Sequence, residues 1–145
     1  MAKILVRDLK KYCDKRKHGT QLERFEELGL WKRLSAVQEW EWEIIDHALD
    51  RLEEKGIEAT RHDIISTISN SSIIEYRIVY NKRHRKYEER VVLRSKAIVN
   101  RRFNLHAVFS LTNNTVISVW MNHVNDRHKT LDWRLYDKNM KVLGV

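Results

Sequence analysis

The chain has 145 residues, 42% of them hydrophobic, enough for one compact domain that buries about two thirds of its unfolded surface and too few for two. Lys and Arg number 28 against 20 Asp and Glu, and the net charge of +8 favours polyanions, nucleic acid above all, over acidic small molecules. No apolar run approaches the ~18 residues of a spanning helix, MAKILVRDLKKYC has too short an apolar core for a signal peptide, and Cys13 has no second cysteine to pair with, so a cytoplasmic protein with no membrane contact is expected.

Apolar spacing is helical up to about residue 69 and strand-like beyond residue 72, which predicts an α+β order. A first helix is expected over about residues 3 to 16 from Leu5, Leu9, Tyr12 and Cys13, with KKYCDKRKHG as its solvated basic end. Three later helix starts share one signature. Thr20 with Glu23, Ser35 with Gln38 and Thr60 with Asp63 each set a hydroxyl at the N-cap and a side-chain acceptor three positions on. Gly29 and Gly56 are expected to stop the first two of these helices, and with no proline in the chain the boundaries rest on caps and glycine alone. Residues 1–34 read as an N-terminal helical extension and 35–145 as the main α+β domain, together one compact unit.

The helix expected over 36–55 carries the first chemical candidates. At about 100° per residue, Val37, Ile44, Ile45, Ala48, Leu49 and Leu52 form one arc, and His47 and Arg51 fall on its shoulder beside Trp40. Such a pair suits proton transfer by the imidazole and phosphate binding by the guanidinium. Helix spacing alone favours a His bonded to a carbonyl and an Arg paired with Asp46, Asp50 or Glu54.

SIIEYRIVY (72–80) and ERVVLRS (89–95) read as strands, and LHAVFSLTNNTVISVWMN (105–122) as a hairpin turning at Asn113-Asn114, residues that tolerate the left-handed conformation. With a two-residue turn there, Leu105, Ala107, Phe109, Leu111, Val116, Ser118 and Trp120 share one face, and His106, Val108, Ser110, Ile117, Val119 and Met121 the other. The expected fold is N-terminal helices followed by a four-stranded antiparallel sheet, with the helices packed on one face and a partly covered groove on the other. Lys82, Arg83, Arg85 and Lys86 surround Tyr80 and Tyr87 on the first connection, a composition suited to gripping a phosphate backbone and stacking bases; Arg101 and Arg102 on the next connection join them as nucleic-acid-binding candidates. No metal or cofactor is expected: His123 and His128 stand five apart without a companion pair, and glycines at 19, 29, 56 and 144 make no phosphate loop.

A helix with His47 and Arg51, then Gly56, the short helix RHDIISTI, a strand, the basic strand RVVLR and the hairpin LHAVFSL…TVISVW form an order of parts. It resembles small domains of unknown function allied to RelE-like and BrnT-like ribonuclease toxins, in the wider barnase–EndoU–colicin–RelE group, over about residues 40 to 122. The resemblance implies a metal-independent endoribonuclease acting through attack of the RNA 2′-OH on its own phosphate; RNA is the expected partner, and a neutralising protein partner is left open. By position it carries the site onto His47 as proton carrier, Arg51 and Arg94 as charge stabilisers and Ser118 as hydrogen-bond donor, with His106 as a further candidate. A two-residue turn points His106 and Ser118 to opposite faces, which leaves the fourth member open. The alternative function is a non-catalytic module that binds nucleic acid or a host protein.

Overall fold

The computed structural model describes residues 4–126 and 132–145. In chain order it forms α1 (Val6–Lys11), β1 (Arg16–His18), α2 (Arg24–Ser35), β2 (Glu43–Ile44), α3 (Asp46–Glu54), α4 (Arg61–Ile65), β3 (Ser71–Asn81), β4 (Lys86–Val99), β5 (Phe103–Ser110) and β6 (Thr115–His123). Short 3-10 turns lie at Gly19–Gln21, Glu39–Glu41, Ser66–Ser69 and Trp133–Leu135. The class is α+β, but the sheet is mixed and has six strands in the order β1-β3-β4-β5-β6-β2. The four expected antiparallel strands are its centre. β1 adds to one edge antiparallel to β3, and β2 to the other, parallel to β6.

Both edge strands come from segments whose spacing suggested helix. Extended backbone sends Trp42 and Ile44 to the same side, whereas two steps of a helix would turn them about 200° apart. Both are buried, and the Trp42 ring meets Phe109 edge-on at 5.1 Å. Burying that ring outweighs helix propensity, so the expected 36–55 helix is helical only over Asp46–Glu54. The expected 3–16 helix shortens likewise to Val6–Lys11, because Arg16–His18 pair with Arg77–Glu75.

The capping signals hold with a change of frame. Thr60 and Asp63 cap each other as expected, at 2.7 and 3.2 Å. The other two boxes sit three residues further on: the Glu23 and Gln38 backbone N–H groups donate to Glu26 and Glu41 carboxylates, each at 3.0 Å. Gly56, at φ +60°, ends α3, but Gly29 lies inside α2. Its bare α-carbon makes room for the chain end, since an added Cβ would lie 2.5 Å from that of Val145.

The hairpin between β5 and β6 turns differently from expectation. Ser110 faces Thr115, leaving Leu111–Asn114 as the connection, and a bulge then pairs Phe109 with Val116 but Val108 with Ser118. A one-residue slip inverts the faces beyond it. Ser118 and Trp120 therefore share the face of His106, while Val119 and Met121 turn to the core beside Ala107 and Leu105. On that core side Leu30, Leu34, Trp42, Ala48, Ile64 and Ile65 cover Tyr76, Ile78, Val91, Leu93 and Phe109. The helices thus pack on one face; the other carries no described α-helix and is only partly open, with Val92, His106 and Val108 on it buried.

Two buried ion clusters fasten the ends of the chain to the core side. Lys17 on β1 bonds Glu26 on α2 at 2.6 Å, and Glu26 also accepts the Val142 N–H at 3.0 Å. Arg33 grips Glu89 with both nitrogens at 2.9 Å and the Leu143 carbonyl at 2.8 Å, and Tyr76 donates to the same carboxylate at 2.5 Å. Burial pushes the Glu26 carboxyl up, but Lys17 and the Glu23 and Val142 N–H groups outweigh it and hold it below 4.5. This contribution to stability is present above that ordinary value and is lost as the pH falls below it.

Removing one partner strands a buried charge. Lys17→Met is expected to destabilise the fold by about 3–5 kcal/mol in urea unfolding at neutral pH, and Lys17→Met with Glu26→Gln to recover at least half of that loss. Equal stability of the single and double variants would show that the pair is not coupled.

Candidate functional site

Strand alternation decides what the open face presents. Because Lys17 points into the core side, its neighbours Arg16 and His18 point out, opposite Arg77 and Glu75 of β3. The ladder continues from Glu75 through Val92 and Val108 to Ser118, with His106 and Trp120 one pair further along β5 and β6. Arg16, Glu75, Arg77, His106, Ser118 and Trp120 consequently line one cleft of about 310 Å³, floored by Val92 and Val108.

The charges in this cleft are unevenly matched. Glu75 accepts a hydrogen bond from the Tyr136 hydroxyl at 2.8 Å through one oxygen and is loosely paired with Arg16 at 3.7 Å through the other. Arg77 makes no ion pair among the described residues, and its buried Nε has no hydrogen-bond partner. Burial holds its guanidinium below the ordinary arginine value, opposed by Glu75 and reinforced by Arg16 and Arg90. Arg90 itself is taken by the fully buried Glu88 at 2.8 Å. An anion in the cleft would relieve the repulsion among these cations and satisfy the Arg77 donor. The His106 ring is buried, bonds the Asn104 carbonyl through Nδ1 at 3.3 Å and stacks on Trp120 at 5.3 Å.

Of the residues singled out in the sequence, the structure brings His106 and Ser118 together. Arg94 lies on the same face but binds protein: it donates to Asn104 Oδ1 and to the carbonyls of His123, Val124 and Asp126, at 2.9–3.2 Å, strapping down the chain after β6. His47 and Arg51 belong to α3, whose Ala48 is in the core cluster, so they stand on the other side of the sheet. His47 is exposed and lines a separate groove of about 540 Å³ with Asp46, Arg83, His84, Lys86 and Asn113.

Lys82, Arg83, Arg85 and Lys86 crowd the tip of the β3–β4 hairpin, exposed and without ion pairs among the described residues, above Tyr80 and Tyr87 packed edge-on at 5.1 Å. Arg101 and Arg102 lie at the opposite end of β4, whose 14 residues separate the two basic groups. At ~3.3 Å per residue that is roughly 45 Å, too far for one short substrate to meet both.

Sequence spacing alone does not mark Arg16, Glu75, Arg77, Trp120 or Tyr136 as site residues. The alternation Glu75-Tyr76-Arg77 within an apolar strand was a readable signal; Arg16 and Tyr136 come from distant segments and were not. Among the described residues no cluster of three or more His, Cys, Asp or Glu is arranged to hold a metal, and His128 lies outside them. No described helix is long and apolar enough to cross a membrane. No family model matches this chain, and no curated protein or solved structure matches it.

Burial and the Glu75 carboxylate push the Tyr136 hydroxyl up to about 12. Its protonated form therefore supports the fold fully below the ordinary value of 10.0, and this support is lost as the pH rises towards about 12. Tyr136→Phe is expected to flatten that part of the stability–pH curve measured by chemical unfolding. An unaltered alkaline slope would mean the hydroxyl is not engaged by Glu75.

Proposed function

We propose that this protein is a metal-independent endoribonuclease of the toxin-like kind, acting on RNA in the cytoplasm, and that the cleft on the open sheet face is its active site. The observation that carries the reading is the convergence of a carboxylate, an imidazole and two guanidiniums from neighbouring strands on one cleft. Cleavage by the RNA 2′-OH needs a base for that proton, an acid for the departing 5′ oxygen and positive charge for the phosphorane.

Glu75 suits the base. Its oxygen towards Arg16 is weakly held at 3.7 Å and becomes available when a phosphate takes the guanidinium. His106 suits the acid, two strands away and two residues along, roughly 12 Å between backbones at ~4.8 Å per strand and ~3.4 Å per residue, a span that two side chains reaching inward can share with one phosphodiester. Arg16 and Arg77 supply the positive charge and Ser118 a hydrogen bond. A neutralising protein partner belongs to this reading, since an unrestrained nuclease would damage the cell that makes it.

A second reading, a non-catalytic nucleic-acid binder, draws on the exposed cations of the β3–β4 hairpin, which make no ion pair among the described residues. Incubation with total RNA in EDTA separates the two. The nuclease leaves fragments ending in 2′,3′-cyclic phosphate, and the binder shifts intact RNA in a gel. Glu75→Gln and His106→Gln are each expected to lower the cleavage rate at least ~100-fold, measured on samples whose melting shows them folded, while His47→Ala and Arg51→Lys keep the native rate. Loss of cleavage in His47→Ala with full activity in Glu75→Gln would move the site to α3.

A further inference from the structure

Aromatic rings stand on both sides of the cleft: Trp120 lines it, and a second group lies next to it, joined to it by the Tyr136–Glu75 hydrogen bond. On the β6 side Trp120 stacks on His106 with ring planes 21° apart. On the β1 side His18 lies 4.9 Å from Trp133 and 5.3 Å from Tyr136, and the last two are 5.4 Å from each other. Trp133 keeps 53% of its surface exposed. Leaving so much of the largest apolar side chain in water forgoes the burial that usually places a tryptophan.

The ring is nevertheless held in position. Asp132 accepts the Arg134 N–H at 3.1 Å and shapes the turn, the Tyr136 hydroxyl bonds Glu75, and the Asp137 N–H bonds the Arg16 carbonyl at 2.7 Å. An exposed indole thus stands next to Tyr136, whose hydroxyl bonds Glu75 of the cleft that Arg16 and Arg77 also line. Cations in the middle suit a phosphate backbone, and a ring at the side suits the π-face of a base.

We infer that the cleft takes single-stranded RNA, with its backbone at Arg16 and Arg77 and one base stacked on the exposed face of Trp133. This rests on the cleft being the RNA site proposed above. A paired base in a helix has its faces occupied by neighbours, so the platform selects unpaired segments: loops, bulges and ends. The same geometry gives Trp133 a role in affinity and none in proton transfer.

The test uses the full chain and a short 2′-O-methyl single strand carrying 2-aminopurine, which has no 2′-OH to attack and so reads binding apart from cleavage. Binding is expected to quench the 2-aminopurine. Trp133→Ala is expected to weaken single-strand binding about tenfold and abolish most of the quench, Trp133→Phe to restore the greater part, and binding of a blunt duplex to be weak and equal in all three. Equal single-strand affinity of native protein and Trp133→Ala, or no binding by the native protein, would overturn the platform. Cleavage of unmodified RNA by the native protein is scored separately: binding and quenching without cleavage would leave the platform standing and defeat the nuclease reading.

Discussion

A carboxylate beneath the sheet, Glu89, constrains the rest of the molecule. A lone charge there would be prohibitive, and it is held by Arg33 of α2 and Tyr76 of β3, with the Leu143 backbone joined to both partners. Helix, strands and tail therefore meet at one buried charge in the finished fold. The Lys17–Glu26 pair beside it does the same for β1 and fixes which way that strand faces. By alternation, a lysine committed to the core side commits Arg16 and His18 to the open side. The ion pairs on one face of the sheet thereby set the charges available on the other.

What was legible in the sequence follows from how far each signal reaches. The central strands, the Thr60–Asp63 cap and the Gly56 stop are written in neighbouring residues and are found in place. β1 and β2 are two or three residues long and exist only because β3 and β6 offer them edges, which local spacing does not reveal. For the site, His106 and Ser118 were visible as chemistry but not as neighbours, because the bulge that aligns them depends on packing Val119 rather than on the Asn113-Asn114 turn. The helical spacing over residues 36–55 that sets His47 and Arg51 beside Trp40 fails where the chain straightens to bury Trp42.

Positive charge is distributed in two distinct settings. In the cleft Arg16 and Arg77 act close to Glu75 over a partly buried surface, where electrostatic interactions are strong and specific. The hairpin cations stand in open solvent, where screening limits their reach to about 8 Å at physiological salt. In the nuclease reading the hairpin gathers polyanions with little discrimination, and the cleft orients them. The buried Glu88 ties the β3–β4 hairpin to the β5–β6 hairpin, accepting from Asn81 at the base of one and Asn113 in the other.

The sheet also carries an order of assembly. Its four central strands pair with sequence neighbours through tight connections and can form early, whereas the contacts that complete the cleft close much longer loops. Tyr136 reaches Glu75 across 61 residues, and the tail is anchored by bonds spanning 110 and 116. A growing polypeptide thus acquires the meander of strands while Glu75 still lacks Tyr136. Residues 132–137 follow the strands in the chain and bring the aromatic wall and the strap that holds it, so the sheet can form before the cleft is complete.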